Sequence, residues 1–146
     1  MVNNRSAPDA TVVPILIYED VAKAIEWLCG AFGFEERLRA AGPGGTVSHA
    51  QLKVREGAVM LGRQGGARYR PPRRDEVNQY VLVHVEDVDR HHAHAKQYGV
   101  EILEPPTEMP FGERLYTARD PAGHQWTFSQ HVKDVAPEQW GATSAP

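Results

Sequence analysis

Hydrophobic and polar positions along the chain trace one order of elements, then trace it again. Residues 12–18 (VVPILIY) are a short β-branched apolar run, which predicts a strand. Pro14 has no N–H to give, so that strand belongs at a sheet edge or at a place where the missing N–H does no harm. Asp20 is placed to cap a helix. Val21, Ala24, Ile25, Leu28 and Cys29 then share one helical face, and the pattern stops at residues 30–33 (GAFG). Three strands are expected at 34–39, 48–54 and 58–63. A Gly/Pro loop at 40–45 separates the first two, and a Glu56-Gly57 turn the last two. The middle strand alternates, with Ala50, Leu52 and Val54 on one side and His49, Gln51 and Lys53 on the other.

The second half opens with a strand at 77–85. Asp87 caps a helix that runs to Gln97 or Tyr98, where Gly99 stops it. Ile102 and Leu103 suggest a brief strand, and residues 104–110 (EPPTEMP) a loop broken by prolines. Residues 114–119 and 125–129 form a hairpin around the turn sequence Asp120-Pro121-Ala122-Gly123. Trp126 and Phe128 lie on one side of it; Gln125, Thr127 and Ser129 lie on the other. Such a hairpin implies a sheet packed on helices behind and open to a cavity in front. One more helical turn is expected within 135–140, and the two ends read as tails.

Glu19-Asp20-Val21 matches Glu86-Asp87-Val88, Gly33 matches Gly99 and Gly57 matches Gly123, at offsets of 67, 66 and 66. Three landmarks at one spacing predict an α+β fold of two tandem βαβββ modules, with curved mixed sheets around a cavity. The expected boundaries are a single domain over 12–130, made of module 1 (12–63) and module 2 (77–130). Residues 64–76 form a linker; 1–11 and 131–146 are tails. Five arginines stand between Arg63 and Arg74. They read as a solvated loop, or else as a contact for an anionic ligand or a protein partner.

Composition narrows the function classes. The 146 residues suffice for one domain with a core, and a formal net charge of −3 argues against nucleic acid as partner. The single cysteine, Cys29, allows no intrachain disulfide and reads as apolar filler of a helix face. The first ten residues lack the apolar stretch of a signal peptide, and no run could span a membrane. The expectation is therefore a cytoplasmic protein with no membrane partner. Gly42–Gly45 lacks the Lys-Ser/Thr of a phosphate loop, and Ser48 and Ser129 lack the glycines of a nucleophile elbow.

The order of elements resembles the vicinal oxygen chelate superfamily, which includes glyoxalase I, bleomycin and fosfomycin resistance proteins and extradiol dioxygenases. The resemblance rests on Glu86-Asp87-Val88 followed by Gly99, and on Asp120-Pro121-Ala122-Gly123-His124. His49-Ala50-Gln51-Leu52 is similar to the PhnB-like branch. By resemblance, metal ligands would sit on the first and last strand of each module. Aligning the helix caps and the two turn glycines puts Val13, Leu61, Tyr80 and Thr127 there. None is a good ligand for a divalent ion, so no metal and no other cofactor is expected. A displaced site could use His49, His84 and His124, and His91 and His94 share a helix face. An exposed polar face is the plainer reading of His91, His92 and His94.

Family register implies a cavity wall of Ile15, Ile17, Gln51, Val59, Leu82, His84, Leu115, Thr117, Arg119, Gln125 and Ser129, with Leu61, Tyr80 and Thr127. Leu16, Val81, Val83, Val85, Trp126 and Phe128 would pack on the helices. The candidate ligand-binding residues are Gln51, Tyr80, His84, Thr117, Arg119, Gln125 and Thr127. His84 and Tyr80 are the candidate acid/base residues, since they bring movable protons to that face. The implied function is binding of a small, partly apolar or aromatic molecule, as in antibiotic resistance-like relatives. The Arg-rich loop does not favour a cationic one. The alternative is an enzyme of the same superfamily (lyase, isomerase or dioxygenase-like) with no metal or a displaced one. A homodimer is implied by the same resemblance.

Overall fold

The computed structural model describes residues 2–73 and 75–146; Arg74 of the arginine-rich loop lies outside them. The chain divides into two compact units. One comprises the residues up to Glu76 with Ala122–His124; the other comprises Val77–Pro121 with Gln125–Pro146.

The first unit holds β1 (Ile15–Tyr18), α1 (Val21–Phe32), β2 (Glu35–Ala41), β3 (Val47–Val54) and β4 (Gly57–Arg63), with strand order β1-β4-β3-β2. The second repeats it as β5 (Val81–His84), α2 (Val88–Tyr98), β6 (Glu101–Glu108), β7 (Glu113–Arg119) and β8 (Gln125–His131), in the order β5-β8-β7-β6. In each sheet the first strand pairs parallel with the last and the rest pair antiparallel. The tandem βαβββ plan is thus present, and neither sheet closes.

Both helices start and stop where side-chain chemistry dictates. The Asp20 carboxylate accepts from the Lys23 N–H at 3.1 Å and the Asp87 carboxylate from the Arg90 N–H at 3.0 Å. Gly33 and Gly99 end the helices in the left-handed region. The first helix runs through Gly30 to Phe32 instead of fading at Gly30, because Ala31 and Phe32 are buried in the core. The β1 strand begins after Pro14, and its edge position leaves the missing N–H without consequence.

One expected loop is a strand. Residues 104–108 continue β6 through Pro105 and Pro106, which is tolerated because β6 is the sheet edge. The prolines are accommodated by register shifts between Ile102 and Glu104 and between Glu104 and Thr107. At the other end of the sheet, the expected strand at 77–85 pairs only over Val81–His84. The helical turn expected near the C-terminus is a 3-10 segment, Pro137–Trp140.

The first unit buries Leu16, Tyr18, Leu28, Ala50, Leu52, Val59 and Leu61 between sheet and α1. The second buries Val83, Val88, Tyr116, Ala118, Trp126 and Phe128 beneath α2. Val59 and Leu61 therefore face the helix, not the open side. The pairing requires it, since Leu61 stands beside Leu16 and Ala50 while Met60 stands beside Ile15 and Gln51. The sequence register failed because the two turns differ in length. Val54 pairs with Gly57 across two residues, whereas Arg119 pairs with Gln125 across five. Gly57 is a strand residue and Gly123 a turn residue at φ 102°, so they are not equivalent. The residue of the first sheet that corresponds to Thr127 is Met60, which faces the same way as Ile15, just as Thr127 faces the same way as Leu82.

Candidate functional site

In the second unit, the sheet face away from α2 holds a cavity of about 560 Å³. Leu82 and His84 lead into it from β5, with Tyr80 just before that strand. Leu115 and Thr117 come from β7, and Gln125, Thr127 and Ser129 from β8. These expected wall residues do come together. Thr117 and Thr127 are directly opposed, and their hydroxyls bond to each other at 2.9 Å, forming a neutral floor. Tyr80 and Leu82 remain well exposed.

Four wall residues escaped the sequence reading: Glu104, Met109, Phe111 and Glu113. Glu104 points inward because the β6 shift sets it opposite Thr117, a cavity-facing position. Alternation within Ile102-Leu103 gave no sign of that shift. Met109 and Phe111 stand on the tight connection to β7, closed by the Gly112 N–H donating to Met109 O at 3.0 Å and the Met109 N–H to Glu113 O at 2.7 Å. Phe111 is backed by Trp140, with ring centroids 5.4 Å apart.

Glu113 ties several polar groups of the wall together. Its carboxylate accepts from the Ser129 hydroxyl at 3.0 Å and from His131 Nδ1 at 2.6 Å, and His84 Nδ1 lies 3.8 Å away. Among the described residues that line the cavity there are two carboxylates and no lysine or arginine. A cavity with this lining presents negative charge and hydrogen-bond acceptors beside aromatic and aliphatic surface.

Two expected ligand residues are elsewhere. Arg119 lies at the end of the Thr117 row but does not line the cavity. It is 7% exposed and its guanidinium bonds to Glu101 at 3.0 Å. Gln51 belongs to the first unit and is 1% exposed. Its side chain bonds to Arg37, to the Ser6 carbonyl and to His49.

The histidines proposed for a displaced metal site each have other work. His49 Nε2 accepts from Gln51 Nε2 at 3.1 Å. His124 Nε2 donates to the Ile17 carbonyl at 2.7 Å, and its ring lies against Tyr18. Among the described residues no three of His, Cys, Asp and Glu are placed to hold one ion. Nor do His91 and His92 form an exposed face. His91 Nδ1 bonds to Tyr116 Oη at 2.6 Å and its ring lies 4.2 Å from that of Phe128, while His92 meets the edge of Tyr116. Burial raises the Tyr116 phenol well above its ordinary range, so it stays protonated. Cys29 is half-buried, and desolvation, followed by the charge of Glu36, raises its thiol pKa, which disfavours the nucleophilic thiolate.

Residues 10–128 match the Glyoxalase/Bleomycin resistance protein/Dioxygenase superfamily. The chain belongs to this superfamily. A protein of Mycobacterium tuberculosis (strain ATCC 25618 / H37Rv) described as uncharacterized is 30% identical over 127 residues, covering 84% of this chain and 75% of the relative. Among solved structures, TioX from Micromonospora sp. ML1 superposes with a TM-score of 0.70 at 35% identity, over 84% of this chain and 99% of TioX. The fosfomycin resistance protein FosX from Listeria monocytogenes shares the fold, with a TM-score of 0.62 at 16% identity over 85% of this chain and 94% of FosX. These likenesses bear on the superfamily and not on its PhnB-like branch. For this superfamily member, no helix of the described residues is long and apolar enough to cross a membrane.

Proposed function

We propose that this protein binds a small molecule in the cavity of its second unit, without a metal ion. The observation that carries the reading is the lining itself. Flat and aliphatic surface from Tyr80, Phe111, Leu82, Leu115 and Met109 surrounds the carboxylates of Glu104 and Glu113. Apolar walls supply affinity by removing ligand surface from water, and a few fixed polar groups orient the ligand. The ligand this suits is partly aromatic and carries an amine or another strong hydrogen-bond donor for Glu113. That departs from the expectation drawn from the arginine-rich loop, whose residues 63–70 are exposed and do not line this cavity.

The donor set supports the metal-free part. Tyr80 offers a phenol and Thr127 a hydroxyl engaged by Thr117, and in the first unit the equivalent positions are Val13 and Met60. These do not suit a divalent ion. A cytoplasmic homodimer that sequesters a harmful compound is the setting we propose; the exposed Ile15 on one sheet and Tyr80 and Leu82 on the other offer apolar area to a second copy.

A panel of flat aromatic amines and their matching carboxylates, screened by thermal shift, tests the reading. Amines raise the melting temperature, carboxylates do not, and Glu113→Gln removes the amine effect. Equal stabilisation by carboxylates, or an amine effect untouched by Glu113→Gln, contradicts it. A second reading, an isomerase, lyase or dioxygenase-like enzyme with no metal or a displaced one, is favoured by one feature. Glu113, with His131 and His84 beside it, is a proton acceptor at the cavity wall. Turnover abolished by Glu113→Gln with the amine still bound would favour that enzyme.

A further inference from the structure

Gln51 of the first unit stands where Thr117 stands in the second, since each pairs with the corresponding residue of the last strand, Met60 and Thr127. The same sheet face is thus present twice. In the second unit it is open to the cavity; in the first, the chain's own N-terminal segment lies over it at Gln51, while Ile15 on the same face stays exposed. Asn4 shapes that segment into a tight turn, its side-chain oxygen accepting from the Ser6 N–H, the Ser6 hydroxyl and the Ala7 N–H at 3.1–3.2 Å. The turn directs the Ser6 carbonyl at Gln51 Nε2, 2.7 Å away, and the Arg5 carbonyl at Arg37 Nη2, 3.4 Å away. Arg37 also donates to Gln51 Oε1. Beyond this point Pro8, Asp9 and Ala10 line a cavity of about 330 Å³, whose other walls include Arg37, Lys53, Arg55 and Glu56.

Two features mark this as a site and not only a covered surface. Gln51 is a polar side chain almost wholly buried in a sheet face, its amide held by Arg37, the Ser6 carbonyl and His49. Its amide donor, together with the Arg37 guanidinium, points at two carbonyl oxygens brought in from a remote part of the chain. A guanidinium and an amide set side by side recognise oxygen acceptors, and a carboxylate offers two of them with a full charge. In the cavity beside it, Arg37, Lys53 and Arg55 stand with the carboxylates of Asp9 and Glu56, the latter 3.9 Å from Arg55. Unlike the lining of the second unit's cavity, this one includes cations.

We propose that this face of the first sheet is a second binding site, for a ligand bearing a carboxylate, and that Asn4–Ala10 is a strap whose Arg5 and Ser6 carbonyls occupy it until such a ligand displaces them. The site does not depend on what the second unit binds.

Benzoate is a suitable probe, titrated by calorimetry into the full chain and into a chain lacking residues 2–10, with the Gln51 side-chain amide followed by NMR. The strap predicts that its removal tightens benzoate binding at least tenfold, with a shift of the Gln51 amide on titration, and that Arg37→Gln in the shortened chain abolishes binding. Asn4→Ala in the full chain serves as the second variant, because Asn4 is exposed and its loss loosens only the turn. About threefold tighter benzoate binding is expected. Unchanged affinity in both the shortened chain and Asn4→Ala overturns the proposal. So does binding that survives Arg37→Gln or leaves the Gln51 amide unmoved.

Discussion

Asp120 shows how much one side chain of the Asp-Pro-Ala-Gly turn carries. It is buried, and its carboxylate accepts from the Trp126 indole N–H at 3.1 Å. Asp120→Ala strands that donor in the core, a loss of about 1–3 kcal/mol. Asp120→Asn keeps an acceptor and should lose less; denaturant titration of the two variants reads the difference. Gly112 is a sharper case. Its φ is 89°, and a Cβ there would stand 1.9 Å from the Lys133 carbonyl oxygen. Gly112→Ala is expected to cost more than about 3 kcal/mol and to displace Phe111 and Glu113 from the cavity wall. His92 adds a pH dependence. Desolvation, then the nearby Lys96 charge, lowers its pKa from the ordinary value, with Asp89 opposing. Because the folded form binds that proton less readily than the unfolded chain, the stability His92 confers is present above about pH 6.5. It falls as pH drops through the lowered folded value. Melting temperatures of wild type and His92→Gln should converge at acid pH; a gap that stays constant contradicts this.

At the scale of elements, the two helices differ in what holds them. The α1 helix buries six side chains, whereas α2 buries only Val88 and Ala95 and otherwise leans on His91 and His92. Its N-terminus is correspondingly well tied: Asp87 caps it, and the Val88 N–H donates to the Gln130 side chain at 2.9 Å. Asp87→Ala should cost about 1 kcal/mol and, unlike Asp20→Ala, open its helix locally. Amide hydrogen exchange would show this as faster exchange confined to α2. Helix limits were legible in the sequence because Asp and Gly act through local backbone geometry. The β6 strand was not, since an edge position that tolerates Pro105 and Pro106 is a property of the sheet and not of the segment. The bulge that aims Glu104 inward is equally nonlocal.

For the whole molecule, the repeat was visible in matched caps and helix stops, and it is the repeat that made the open face of the second sheet readable. Tyr80, Leu82, His84, Leu115, Thr117, Gln125, Thr127 and Ser129 all line the cavity. In the first unit the same reasoning misplaced Val59 and Leu61, because hairpin turns of unequal length shift the register by one residue, and one residue turns a side chain to the other face. It also gave no hint that a polar N-terminal segment would lie over Gln51. The account stands on the second unit's cavity being a site for an aromatic donor. Methyl and amide NMR of the intact chain titrated with 2-naphthylmethylamine tests that directly. Saturable shifts are predicted at Leu82, Met109, Leu115, Thr117 and Thr127, with Val83 and Ala118 on the buried side of the sheet unmoved. Shifts absent from those five residues at saturating amine, or centred on the first unit, would contradict it.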